Sequence, residues 1–174
     1  AHGRLDILIN NAGTCLDAGG NFMATSGLTI SRDELLNSFD VNVCRQVEVV
    51  QAFADLLKAA PNGRVVQQSS ILGSMTNQMN PEVGANLGKS LGYCASKAAL
   101  NMTTVMLAAA FKGTNVKVNS SHPGWVKTES GGGDISPYQL DVPTGASTAV
   151  GLALNSAEDS PTGTFSHQGA PMGW

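Results

Sequence analysis

Tyr93 and Lys97 stand four apart in the run Tyr93-Cys94-Ala95-Ser96-Lys97, so on a helix a phenol and an ammonium share one face. A free tyrosine, with a pKa near ~10, is a poor acid or base at neutral pH, but a cation held close favours the phenolate and pulls that value down. A phenol tuned in this way can donate a proton to a carbonyl oxygen while hydride arrives at the carbon, and can reverse both steps in oxidation. The same spacing also occurs in ordinary surface pairs, so the surroundings must decide. Here the pair opens an apolar stretch directly after a long polar one, where a pocket is expected.

The elements that position this pair follow from the hydrophobic pattern. Leu5 to Ile9 reads as a buried strand closed by the turn Asn10-Asn11-Ala12-Gly13, and residues 14–30 read as loop. Ser31-Arg32-Asp33-Glu34 is a capping box that predicts a helix start. The apolar positions Leu36, Phe39, Val43, Val47, Val50, Ala54 and Leu57 predict its inward face, and Pro61-Asn62-Gly63 its end. Arg64 to Ser69 reads as a second strand, with Ser69-Ser70 at its carboxyl end. Residues 75–92 read as a long irregular loop, and Tyr93 to about Lys112 as a helix buried on more than one side. Asn115 to Asn119 is a third strand, broken by His122-Pro123-Gly124. A flexible stretch at 129–142 comes next, then a helix with Pro143 in its first turn, and a last short strand from Gly163 to Ser166. Alternating strands and helices predict parallel strands joined by right-handed crossovers, with ligands at the carboxyl ends of the strands.

The chain resembles the short-chain dehydrogenase/reductase family through five ordered motifs. These are Asn10-Asn11-Ala12-Gly13, Asn42 within Asp40-Val41-Asn42-Val43, Ser70 within Ser69-Ser70, the Tyr93/Lys97 pair, and Pro123-Gly124-Trp125-Val126-Lys127-Thr128. The wording around Tyr93 and from His122 to Thr128 is similar to carbonyl-reductase-like members. The resemblance implies an NAD(P)-dependent oxidoreductase that reduces a carbonyl or oxidises a secondary alcohol. Its catalytic residues would be Tyr93 as general acid/base, Lys97 lowering the phenol's pKa and binding the nicotinamide ribose, Ser70 polarising the substrate oxygen, and Asn42 breaking its helix to hold a water that links Lys97 to solvent. Cofactor contacts would come from Asn11, Ala12, Gly13, Tyr93, Lys97, Pro123, Gly124, Val126 and Thr128. Asn11 would tie neighbouring strands, and Gly13 would let the backbone approach the cofactor. The expected cofactor is NADP(H) rather than NAD(H), with no metal, and the expected state of the complete protein is a homodimer or homotetramer.

The implied fold is α/β, the C-terminal portion of a Rossmann-type, doubly wound, three-layer parallel sheet. The family's glycine-rich turn for the pyrophosphate, and the N-terminal strands and helices around it, have no counterpart in the sequence. Residues 1–174 are thus expected to form a single partial Rossmann-like domain, the catalytic half, with variable substrate-side loops at 75–92 and 125–142. A different class of function remains in view: a truncated, catalytically silent member acting as a binding or assembly module. Composition narrows the partners. A net charge of −3, with ten unclustered Lys and Arg among 174 residues, gives no footprint for nucleic acid or an anionic membrane, so a small-molecule carbonyl or alcohol substrate is expected. Three cysteines without C-x-x-C spacing indicate neither a disulfide framework nor a zinc site and fit a reducing, cytoplasmic setting.

Overall fold

Ile7–Asn10 forms strand β1, and in the computed structural model, which describes residues 2–155 and 160–174, it lies at one edge of a five-stranded sheet ordered β1-β2-β3-β4-β5. Strand β2 (Arg64–Gln68) pairs parallel with β1, Ile7 facing Arg64. Strand β3 (Lys117–Ser121) pairs parallel with β2, and β4 (Phe165–His167) pairs parallel with β3. A two-residue strand, β5 (Ala170–Pro171), returns antiparallel to β4 and was not expected from the sequence.

Alternation along β2 builds three layers. Val65 joins Val50, Leu57, Phe111, Val116 and Val118 on one face, whereas Val66 packs with Ala149 and Ala153 on the other. The first face is covered by α2 (Arg45–Ala59) and α4 (Leu91–Ala110), the second by α5 (Val142–Leu154). This is the α/β arrangement with a mostly parallel sheet that the pattern predicts.

The capping box forms as expected at α1 (Arg32–Phe39): Glu34 N–H donates to Ser31 Oγ, and Ser31 N–H donates to Glu34 Oε2 at 2.8 Å. The inward face differs from expectation. Between α1 and α2 the residues Asp40–Cys44 form one π-helical turn, which widens the repeat and rotates the face. Ser38, Asn42 and Gln46 therefore point inward ahead of Val50 and Leu57, while Leu36 is 48% exposed. The buried stripe is polar where it borders the strand ends and apolar below.

Residues 75–92 are not an irregular loop throughout. They contain α3 (Met75–Met79), capped by Ser74, and a 3-10 turn at Gly84–Asn86. The last residues of the sequence lie against α3, with Ser74 Oγ donating to Gly173 O at 2.7 Å and the Trp174 ring stacked on Phe165. Helix α4 starts two residues before Tyr93. The stretch 129–142 is built around one buried side chain rather than loose. Gln139 donates to Gly131 O and Gly133 O, and its Oε1 accepts from Ile135 and Ser136 N–H. Asp141 then caps α5 by accepting from Thr144 N–H. Among the described residues no helix is long and apolar enough to cross a membrane.

Candidate active site

The carboxyl ends of β1, β2 and β3 bring the predicted residues together around the first turns of α4. Lys97 is buried, and its Nζ donates to Gln68 O at 2.8 Å. The polar Gln67-Gln68 pair at the end of β2 thus has a use, since Gln67 Oε1 also accepts from Asn10 Nδ2 and Gln68 Oε1 from Ser121 Oγ. Burial pushes the Lys97 ammonium down to about 8.

Gly13 lies over this ammonium. A Cβ at Gly13 would sit 2.9 Å from Lys97 Nζ and 3.3 Å from Asn42 Oδ1. The glycine therefore leaves room for the lysine. Asn42 occupies the π-helical turn, so the expected break in helix regularity is present. Its side chain, however, is committed to protein partners: Nδ2 donates to Thr14 O and Ser96 Oγ, and Oδ1 accepts from Thr14 N–H at 2.8 Å. Ser96 Oγ passes the chain of bonds on to Tyr93 O. The Asn42 amide stitches the turn after β1 to α4. Asn42→Ala strands buried donors and acceptors at a fully buried position, and it is expected to cost roughly 2–4 kcal/mol by chemical denaturation.

Tyr93 and Ser70 face each other across the site, close enough for the Ser70 hydroxyl to act on the phenol. Ser70 ends β2 and caps the short turn Ile71–Gly73, its Oγ accepting from Leu72 N–H. Burial pushes the Tyr93 phenol up to about 12, and the nearby Ser70 hydroxyl opposes this. Lys97 is not among the groups that move it, contrary to the expected lowering. The Lys97 Nζ stands 5.7 Å from the Tyr93 ring centroid and is itself weakened as a cation by burial. The Tyr93 ring meets Phe22 edge-on at 4.8 Å.

The remaining predicted cofactor residues line the same end of the sheet. Asn11 and Ala12 are exposed and border an open groove of about 290 Å³ that also touches Val41 and Arg45. The tie between strands falls to Asn10, not Asn11: Asn10 Nδ2 donates to Gln46 O and Gln67 Oε1. Burial was the signal that could have told the two asparagines apart. Pro123 and Gly124 turn the chain after β3, Gly124 at φ +83 with Leu140 Cδ1 within 2.5 Å of where a Cβ would lie. His122 Nδ1 accepts from Ile71 N–H at 3.2 Å, so this turn is joined to the one holding Ser70. Val126 bridges Leu140, its carbonyl taking Thr128 N–H, and Thr128 Oγ1 accepts from Gly131 N–H. Trp125 does not cap the core. It is half exposed, and its Nε1 donates to Gly131 O.

A sequence model of the family described as short chain dehydrogenase matches residues 1–135. The chain belongs to that family. Oxidoreductase UcpA of Salmonella typhimurium is 33% identical over 126 residues, which cover 72% of this chain and 42% of UcpA, so the match spans less than half of that relative. Among solved structures, the NADPH-bound carbonyl reductase from chicken fatty liver is 26% identical with a TM-score of 0.79, over 98% of this chain and 66% of that one. A short chain dehydrogenase/reductase family oxidoreductase from Brucella ovis, in complex with partially ordered NAD, is 25% identical with a TM-score of 0.67, over 95% and 65%. The chain is a carbonyl-reductase-like member of an oxidoreductase family.

Proposed function

We propose that the protein is an NAD(P)-dependent oxidoreductase that reduces a carbonyl, or oxidises a secondary alcohol, with Tyr93 as general acid/base. The observation that carries this reading is the convergence of Tyr93, Ser70 and the buried Lys97 ammonium at the carboxyl ends of adjacent strands. The residues fit a nicotinamide nucleotide. Lys97 has one hydrogen-bond acceptor among the described residues, Gln68 O, which leaves ammonium donors for ribose hydroxyls. Asn11, Ala12 and Gly13 would border the ribose, and Pro123, Gly124, Val126 and Thr128 the carboxamide. The carbonyl reductase from chicken fatty liver carries NADPH and the Brucella ovis oxidoreductase NAD, and NADP(H) is the expected cofactor over NAD(H).

The nicotinamide, when bound, supplies or accepts the hydride. In reduction, Ser70 Oγ donates a hydrogen bond to the substrate oxygen and Tyr93 Oη gives that oxygen its proton. With a phenol pushed up to about 12, Tyr93 holds its proton at neutral pH and is loaded as an acid. The Lys97 ammonium, 5.7 Å from the ring centroid, is the group that would return a proton to the tyrosinate left behind. The loops at 75–92 and 125–142 would shape the substrate side, and the complete protein would be a homodimer or homotetramer.

Because Lys97 is pushed down to about 8, its charge is present below that pH and lost above it. The pH profile of kcat/KM for reduction is expected to be flat near neutrality and to fall tenfold per pH unit above about 8. A profile still flat past pH 10 would contradict the role of the ammonium. The function itself is tested by following NADPH absorbance with 4-nitrobenzaldehyde and a panel of ketones, beside calorimetric titration of NADPH and NADH. Saturable binding and turnover are expected; absence of both would support a silent binding module instead.

A further inference from the structure

The turn that carries Tyr93 is capped from outside its own element. Ser90, the N-cap residue of α4, makes no side-chain bond to the helix, and its hydroxyl donates instead to Asn21 O at 2.7 Å. The first three amides of α4 find their acceptors on the loop after β1. Leu91 N–H donates to Ser26 Oγ at 2.7 Å, Gly92 N–H to Asp17 Oδ2 at 2.9 Å, and Tyr93 N–H to Asp17 Oδ1 at 3.0 Å. Ser26 Oγ in turn donates to Asp17 Oδ2 at 2.5 Å.

Asp17 is fully buried. Burial alone pushes its carboxyl up, but the bonds from Ser26, Gly92 and Tyr93 outweigh that and hold it below the usual carboxylate range. A carboxylate at a helix N-terminus is favoured by the helix dipole as well. Gly92 makes the approach possible, because a Cβ there would stand 3.0 Å from Asp17 Oδ1 and 2.7 Å from Ile30 Cδ1. The same loop supplies Phe22, set edge-on against the Tyr93 ring.

We propose that Asp17 is a positioning residue for Tyr93: its two carboxylate oxygens, bonded to the Gly92 and Tyr93 amides, fix the first turn of α4 and so the aim of the phenol toward Ser70. Ser26 locks the carboxylate in that orientation. An ordinary N-cap would satisfy these amides from the adjoining residue. Here the acceptor lies 75 and 76 residues away in sequence, so the placement of the loop after β1 and that of the tyrosine become one structural variable. The proposal rests on the role given to Tyr93 above, but its geometric content can be read without turnover.

The chain has two tyrosines, Tyr93 and the exposed Tyr138, so tyrosine labelled with carbon-13 at Cζ gives two resonances, assigned with Tyr138→Phe. Asp17→Asn preserves size but removes one acceptor and turns an N–H toward a backbone N–H. In the folded variant the Tyr93 resonance is expected to move toward the Tyr138 position while Tyr138 stays in place. With NADPH and 4-nitrobenzaldehyde, kcat is expected to fall roughly ten- to hundredfold while KM for NADPH changes less than about twofold. Ser26→Ala is the milder variant, expected to move the resonance in the same direction by less, and it decides the matter where Asp17→Asn does not fold. An unmoved Tyr93 resonance in a folded variant overturns the proposal, as does a moved resonance with unchanged kcat. Should Tyr93→Phe itself retain full turnover, the role of Tyr93 fails, and the resonance still shows whether Asp17 sets its geometry.

Discussion

Tyr93→Phe is expected to fold normally and to lose turnover by roughly 10²- to 10⁴-fold, the range that positioned general acid–base catalysis contributes. The ring itself stays, so its edge-on contact with Phe22 and the packing at the start of α4 are kept. What is lost is the hydroxyl that meets Ser70, and with it the proton that a carbonyl oxygen must receive. The measurement pairs steady-state kinetics with a thermal melt. Tm should stay within a few degrees of wild type, since the change removes a single hydroxyl, worth about 1 kcal/mol. Retained kcat would remove Tyr93 from the chemistry.

The second large effect is expected at Gly73, and it acts on stability first. Gly73 closes the turn that Ser70 begins, and a Cβ there would lie 2.5 Å from the Lys97 carbonyl carbon and 2.7 Å from Ala98 N. Both are backbone atoms of α4, so no side-chain rotation can relieve the contact. Gly73→Ala must lever the Ser70 turn away from the helix that carries Tyr93 and Lys97. The expected cost is about 1–3 kcal/mol in urea unfolding, the usual penalty of overpacking, with a fall in kcat because Ser70 and Tyr93 are driven apart. Gly151→Ala is the control: nothing lies within 4 Å of its added methyl on α5, and replacing a helical glycine should stabilise by roughly 0.5–1 kcal/mol. Equal stability of the two variants would show that the contact between Gly73 and α4 is not tight.

Much of the fold was legible because it is written locally. The Ser31/Glu34 box is a contact between neighbours in sequence, and it forms where the pattern places it. The four parallel strands follow from short β-branched runs, each within a few residues of its observed position. The helix before β2 misled where a π turn replaced the α repeat: a period of 3.6 cannot foresee a single wider turn, and Asn42 and Gln46 moved inward in place of Val43 and Val47.

The supporting residues of the site were not legible for a different reason. Asp17 reads as a loop carboxylate until its partners, Gly92 and Tyr93, are brought to it across the fold. Gln139 likewise reads as a polar loop residue, yet its buried amide organises the glycine stretch, and the chemistry of glutamine gives no local sign of that. Gly73 differs from the unconstrained Gly27 only through the helix packed against it. In each case the deciding contact is long-range, whereas Tyr93 and Lys97 announce themselves because four residues make one helical turn.

The most direct test of the account follows the atoms. NADPH carrying deuterium at C4 of the nicotinamide, on the face that the protein uses, should label the carbinol carbon of an alcohol formed from a carbonyl substrate, one deuterium per NADPH oxidised. The Tyr93→Phe protein should form almost no labelled alcohol under the same conditions. Alcohol formed without the label, or labelled equally well by the Tyr93→Phe protein, would contradict hydride transfer coupled to a proton from Tyr93.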